Sequence, residues 1–436
     1  MPLDRRTLLA AGAGAATVMA AGAAGASPKA AFPKGFLWGA ATAGHQVEGA
    51  NVNSDVWLVE HVKPTLFAEP SGDADNSFEL WPTDLDLVRE LGLNAYRFSL
   101  EWSRIEPEPG LFSIAMLDHY EAMIEGCRAR GLTPVVTFNH FTVPRWFAAQ
   151  GGWTHPQSPQ LFARFCDRAA RRLAGGMGYA TTLNEPNTPA LLKEVFPPQF
   201  LGAVRGMNAA AGKACGSDNF KNAMVPDVAD ADVLQANLIA AHKAARAAIK
   251  AARGDLPVGV SLSVTDDQAE GPGSVRDAKR ALFYGPWMEA AKGDDFLGVQ
   301  NYGRARWGAK GNLGVPPGAQ LNGMGQEIYA PSLAGAVRYA HQASGLPILV
   351  TEHGLSTSDD TLRAAFIPAA LTELHKVMAQ GVPVEGYVHW SLLDNFEWIF
   401  GYKQHFGLCS VDRATFRRTP KPSARVLGAI ARRNAV

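Results

Sequence analysis

The sequence lacks the features that mark several protein classes. Its 436 residues include only four cysteines, Cys127, Cys166, Cys215 and Cys409. They are widely spaced and form no Cys-x-x-Cys or His/Cys cluster, so a bound metal has no support. Charge of one sign is not in excess: Lys plus Arg and Asp plus Glu number 41 each. Neither nucleic acid nor an anionic membrane surface would find the basic field it needs. Beyond the N-terminus there is no low-complexity stretch and no Pro/Ser-rich linker, and a hydrophobic content of 47% is enough to bury a large core.

The N-terminus differs from the rest. Asp4-Arg5-Arg6-Thr7-Leu8-Leu9, a weakly apolar Ala/Gly run and Ala24-Gly25-Ala26 before Ser27 resemble a twin-arginine export signal. The run is short and rich in Ala and Gly for a membrane span, with an uncleaved anchor as the alternative to a removed signal. The expectation is a signal over residues 1–26, removal after Ala26, and a periplasmic or secreted mature chain of residues 27–436 with no stable membrane insertion. Export permits one disulfide or two, yet Cys127 and Cys166 fall in helix-like segments, where a buried thiol is the commoner fate. The pairing stays open.

From Phe36 onward, short apolar runs alternate with longer amphipathic or Ala-rich stretches, the rhythm of a parallel sheet. Eight strands can be read: Phe36 to Thr42, Ala95 to Leu100, Thr133 to His140, Ala180 to Glu185, Val258 to Val264, Phe296 to Tyr302, Ile348 to Glu352 and Glu385 to Ser391. Eight strands with intervening helices predict a single (β/α)8 barrel, an α/β fold. One helix is expected to run from Pro82-Thr83-Asp84 through Leu91 to Gly92, another from Leu234 to Ala252. Long loops are expected at 190–232 and 303–332, on the face that shapes substrate entry.

Two strand ends carry carboxylates. Leu346-Pro347-Ile348-Leu349-Val350-Thr351-Glu352-His353-Gly354 reads as a buried strand with an acidic tip, and Ala180-Thr181-Thr182-Leu183-Asn184-Glu185-Pro186-Asn187 supplies a second. A barrel gathers its strand C-termini at the active site. Cleavage of a glycosidic bond needs one acid to protonate the departing oxygen and one carboxylate to meet the oxocarbenium-like carbon, so such a pair suits that reaction. Arg97, third on Ala95-Tyr96-Arg97-Phe98-Ser99, faces inward by alternation and suits a nucleophile that must stay ionised.

Longer motifs extend the match. FPKGFLWGAATAGHQVEGA, YRFSLEWSRIEPEPG, TLNEPN, VTEHG and HWSLLDNFEWIFGYKQHFGL occur in this order from Phe32 onward. In this ordered set the chain resembles glycoside hydrolase family 1, the β-glucosidase family. The resemblance implies Glu185 as acid/base and Glu352 as nucleophile, with Arg97 and Tyr302 against the nucleophile. It implies Gln46, His140, Asn184, Glu397 and Trp398 as groups that grip the non-reducing sugar, Trp390 as the floor beneath it and Phe406 as a closing aromatic. It further implies a retaining β-glycosidase acting on a small glycoside or oligosaccharide without metal or organic cofactor. A neutral hexose offers a ring of hydroxyls and an apolar C–H face, which amide, imidazole, carboxylate and indole groups recognise.

Three positions depart from the family pattern: Gln300 stands for the usual Asn, His353 for an Asn after the nucleophile, and Ala180 for a Trp. Together they suggest a reshaped pocket. The same chemistry on a β-galactoside, β-fucoside, β-xyloside or glycosylated natural product is the first rival reading. A carbohydrate-binding pseudoenzyme is the second, though it predicts a missing carboxylate and both are present.

Overall fold

The computed structural model describes residues 30–436. The expected signal over residues 1–26, and its cleavage after Ala26, lie outside the described residues.

Eight parallel strands close into a barrel: Leu37–Ala41, Ala95–Ser99, Thr133–Asn139, Tyr179–Asn184, Val258–Ser263, Phe296–Asn301, Ile348–His353 and Val384–Trp390. Each strand pairs with its neighbours in sequence, and the first pairs with the last, with Ala41 opposite both Arg97 and Trp390. These are the eight expected strands, shifted by a residue or two at their ends. One shift matters for the site, because Glu185 lies one residue beyond its strand, in left-handed backbone at φ 45°, while Glu352 lies within its own.

The barrel interior changes character along its axis. Leu37, Ala95, Val135, Phe296 and Leu349, with Tyr179 against them, form an apolar plug. Side chains two residues further along a strand share its inward face. There stand Arg97, two beyond Ala95, and Thr137, two beyond Val135, whose hydroxyl meets that of Thr181 at 2.7 Å. The interior thus becomes polar toward the C-terminal end. Outside the barrel the helices complete one large hydrophobic core, within which Trp102 packs among Phe147, Trp153, Phe162 and Phe165.

Two expectations need correction. The helix expected from Pro82 begins earlier, at Ser77, and carries Pro82 inside it. Its start is tied down by a residue distant in sequence, since Arg418 donates to the Ser77 hydroxyl at 3.1 Å and to Asp84 at 2.7 Å. Nor are the two long loops simple loops. The first contains helices Thr188–Val195 and Pro198–Cys215; the second contains Arg304–Gly308 and Gly311–Asn312, which join Asp266–Ala269 in a three-stranded sheet. The second expected helix forms as Ala231–Ala252. All four cysteines are free thiols, three of them buried. Among the described residues no helix is long and apolar enough to cross a membrane.

Candidate active site

The C-terminal ends of the strands surround a cavity of about 410 Å³ whose lining includes Gln46, His140, Asn184, Glu185, Tyr302 and Glu352. Trp390, Glu397, Trp398 and Phe406 line it as well. Of the side chains expected at the site, only Arg97 lies beneath the cavity, fully buried. Backbone packing makes room for this assembly at Gly354, where an added Cβ would meet the carbonyl oxygen of Trp390 at 2.0 Å.

Glu352 is held by three donors. Arg97 Nη1 donates to Oε1 at 2.5 Å, Tyr302 donates its hydroxyl to Oε2 at 2.5 Å, and Gln300 Nε2 donates to Oε1 at 3.0 Å. Burial pushes the carboxyl of Glu352 above the usual range, while the Arg97 charge and the Tyr302 hydroxyl pull against that rise. Glu185 has no cation at such range. Loss of hydration, and after it the charge of Glu352, push its carboxyl up to about 8 against the opposing Ser263 hydrogen bond and Arg97 charge. Two carboxyls in one cavity are thereby separated in role: Glu352 ionises first, and its charge keeps the proton on Glu185. Such a pair can attack and protonate in the same step.

The remaining groups form a hydrogen-bonding shell with open positions. Asn184 Oδ1 accepts from Arg97 Nη2 at 2.5 Å and from Gln300 Nε2 at 2.7 Å, which turns its amide nitrogen toward His140 Nε2 at 3.3 Å. An amide nitrogen only donates, so His140 accepts on Nε2 and carries its proton on Nδ1. Burial, reinforced by the Arg97 charge, holds His140 well below its ordinary range and therefore neutral. Its Nδ1 has no partner. Gln46 spends its amide nitrogen on the Phe396 carbonyl at 2.8 Å and Asn395 at 3.2 Å, leaving a buried Oε1 without a partner. One free donor and one free acceptor thus stand deep in the cavity, where a hydroxylated ligand can satisfy both.

Aromatic rings frame these groups. His140 lies nearly parallel to Trp390 at 5.6 Å and to Trp398 at 6.2 Å, and Phe406 meets Tyr302 edge-on at 5.8 Å. Glu397 is pushed up to about 8 by burial and then by the charges of Glu352 and Glu185, with only a long contact from Gln46 at 3.4 Å to oppose this.

Of the three departures from the expected pattern, one touches the site. Gln300 bridges Asn184 and Glu352, a role that residue reading missed, although its place two residues before Tyr302 puts both on the same strand face. His353 does not reshape the pocket. It follows Glu352 and so points to the opposite face, where it bonds Tyr387 at 3.0 Å and stacks on Phe366 at 5.0 Å. Ala180, next to the inward Thr181, packs into the outer core. Behind the cavity, His45 bonds Glu60 at 2.9 Å and stacks on Trp398 at 5.8 Å, a buried pair that lies outside the quoted motif roles.

Known proteins share both fold and length with this chain. The β-glycosidase BGL167, a solved structure, is 47% identical with a TM-score of 0.87, over 93% of this chain and 98% of its own. A β-glucosidase of Agrobacterium sp. is 29% identical over 92% of this chain and 95% of its own length. A bifunctional β-D-glucosidase/β-D-fucosidase of Bifidobacterium breve is 28% identical over 90% and 96%. The model of glycosyl hydrolase family 1 matches residues 28–280 and 312–436, leaving out the interval that contains Gln300. With that match spanning most of its length, the chain is a member of glycosyl hydrolase family 1.

Proposed function

We propose that the protein is a retaining β-glycosidase whose preferred glycone is β-D-glucose. The observation that carries this reading is the division of labour between the carboxyls, with Glu352 clamped by Arg97, Tyr302 and Gln300, and Glu185 pushed up to about 8. In the first step Glu352 attacks the anomeric carbon while Glu185 gives its proton to the departing oxygen. In the second, Glu185 accepts a proton from water, which displaces Glu352 and releases the sugar with retained configuration. The unpartnered Gln46 Oε1 and His140 Nδ1, with Asn184 and Glu397, bind the sugar hydroxyls over Trp390 and Trp398. The names of the Agrobacterium and Bifidobacterium relatives support glucose, with fucose as the nearest alternative glycone.

The test is hydrolysis of aryl β-glucoside, β-galactoside, β-fucoside and β-xyloside, with the first-formed anomer read by NMR. Fastest release from the glucoside with β-glucose appearing first is expected. The α-anomer appearing first would sink the retaining mechanism, and Glu352→Gly with undiminished turnover would remove Glu352 as nucleophile. Residues 1–26 are proposed to direct export by a twin-arginine route, supported by Arg5-Arg6 and the Ala24-Gly25-Ala26 sequence. Expression with and without Arg5Lys/Arg6Lys should move the enzyme between the periplasmic or culture fraction and the cytosol; equal distribution would reject the signal.

A further inference from the structure

The ladder between two functional strands stops short of the site. Ile348–His353 carries Glu352 and Val384–Trp390 carries Trp390, and the two strands are neighbours in the barrel. Their pairing runs Ile348 with Val384, Leu349 with Gly386 and Val350 with Tyr387. Beyond that point Glu352 and His353 pair with the strand on their other side, opposite Gln300 and Asn301, after a break in register between Val350 and Glu352. His389 and Trp390 pair away from them too, with Ala40 and Ala41. Among the described residues, then, no backbone ladder sets the spacing between the carboxylate that attacks the sugar and the ring beneath it. The two tips are nonetheless close, since a Cβ added at Gly354 would meet the Trp390 carbonyl oxygen at 2.0 Å.

Side chains on the outer face span this gap. His353 follows Glu352 and His389 precedes Trp390, so each is turned away from the cavity. Nδ1 of each lies 3.0 Å from the hydroxyl of Tyr387. All three side chains are buried completely. The Tyr387 ring packs on Trp38 at 6.3 Å and the His353 ring on Phe366 at 5.0 Å. Nε2 of neither histidine makes a hydrogen bond, although the Phe406 carbonyl is near enough to the His389 ring to raise its value slightly.

Both rings are neutral. Burial pushes His353 down to about 3, and burial followed by the Arg363 charge holds His389 well below its ordinary range. A neutral imidazole carries one proton, and a phenol has one to give. The hydroxyl donates to one Nδ1 and accepts from a proton on the other, which satisfies both contacts when the two histidines hold opposite tautomers. The departure at His353, which lies off the pocket, thereby acquires a use.

Resting on the reading of Glu352 as nucleophile, we propose that His353, Tyr387 and His389 form a positioning relay of opposed tautomers that fixes the Glu352 carboxylate relative to the floor ring of Trp390 from behind the barrel wall. None of the three touches the sugar; each acts through the residue beside it. Drift of about 1 Å at an attacking atom can cost about 100-fold in rate. Gln46, His140, Asn184 and Glu397 bind the sugar from other elements, so the relay serves attack more than affinity.

The experiment takes Tyr387→Phe, which deletes the shared hydroxyl and keeps the ring. A dinitrophenyl β-glucoside with fluorine in place of the C2 hydroxyl reads the attack alone: Glu352 bonds the anomeric carbon, dinitrophenolate leaves with the electron pair, and the glycosyl-enzyme persists. The trapping rate constant should fall roughly tenfold or more, with the inhibition constants of the trap and of free glucose within about twofold. Trp38→Phe disturbs packing on the same ring without touching its hydroxyl, and should lower Tm but leave trapping within about twofold. In the wild-type enzyme, NMR of isotope-labelled histidine should show two neutral imidazoles of opposite tautomer, assigned by their loss in His353→Phe and His389→Phe. Trapping by Tyr387→Phe at the wild-type rate, an equal loss in Trp38→Phe, or two histidines in the same tautomer would each overturn the relay. A wild-type enzyme that hydrolyses glucosides but is never trapped would instead overturn the reading of Glu352 as nucleophile, on which the relay rests.

Discussion

Gln300→Leu deletes a single donor that serves two acceptors while nearly keeping side-chain shape. Its Nε2 lies 2.7 Å from Asn184 Oδ1 and 3.0 Å from Glu352 Oε1. A hydrogen bond to a charged group contributes about 1.5–3 kcal/mol and one to a neutral acceptor about 0.5–1.5. Arg97 still reaches both acceptors in the variant, at 2.5 Å each, so the expected loss is the charged bond alone. That corresponds to a fall in kcat/KM of roughly 10- to 150-fold. The pH profile should move as well. Glu352 is raised by burial and restrained by its donors; losing one donor disfavours the ionised form further, so its value rises. Because Glu352 attacks as the carboxylate, the acid limb of kcat/KM shifts to higher pH. Gln300→Asn, shorter by about 1.5 Å, cannot span both acceptors and should fall between wild type and the Leu variant. The assay is kcat/KM against pH on an aryl glucoside for all three proteins. A Leu variant within about twofold of wild type and an unmoved acid limb would show that Arg97 and Tyr302 hold Glu352 without help.

The alkaline limb should report Glu185: with its carboxyl pushed up to about 8, kcat/KM falls as pH rises past that value because the acid has lost its proton. Glu185→Gln should abolish this limb and cost about 10² to 10⁴ on substrates with poor leaving groups; a limb that survives belongs to another residue. A 6-phosphoglucoside should be turned over about 100-fold or more below the glucoside, since no Lys or Arg lines the cavity and three carboxyls do; comparable rates would refute this. His45→Phe should keep the stack on Trp398 but leave Oε1 of the buried Glu60 without its charged partner, with Ser71 still donating to Oε2, costing about 3 kcal/mol by denaturant titration. The His45 imidazole is raised above its ordinary value, so this contribution is full in acid and fades as pH rises through the raised value; a variant whose stability loss has no such slope would exclude the pair as its source.

Most of the barrel was legible because its strands are short, apolar and buried on both faces, a pattern that survives in sequence without knowledge of partners. The nearness of the two strand-end carboxylates was legible for a related reason: strand ends converge in a closed barrel, so a carboxylate after Leu183-Asn184 and another after Val350-Thr351 come to line one cavity, whereas the rest of the expected set followed from the family resemblance. What escaped was set by tertiary contact. The early start of the Ser77 helix depends on Arg418, distant in sequence, and the helices within 188–215 depend on packing that propensity alone does not fix. Gln300 and His353 were equally conspicuous as departures, and strand alternation separates them. Gln300 shares its face with Tyr302, whereas His353 is turned away from that of Glu352.

The electrostatic economy of the cavity explains why one arginine suffices. Glu185, Glu352 and Glu397 share a space whose nearest cation is Arg97, and Arg97 is committed to Glu352 on one nitrogen and Asn184 on the other. Three adjacent carboxylates with one cation cannot all ionise, and the two without it are each pushed up to about 8. Both therefore hold protons at neutral pH; in the proposed mechanism one is given to the leaving group and the other is offered to a sugar hydroxyl. Once Glu352 is consumed in a covalent bond its charge disappears, and the main electrostatic reason for Glu185 to keep a proton disappears with it. In the proposed mechanism the same carboxyl then becomes the base that the second step requires. Placing Arg97 next to Glu352 thus sets the order of both proton transfers.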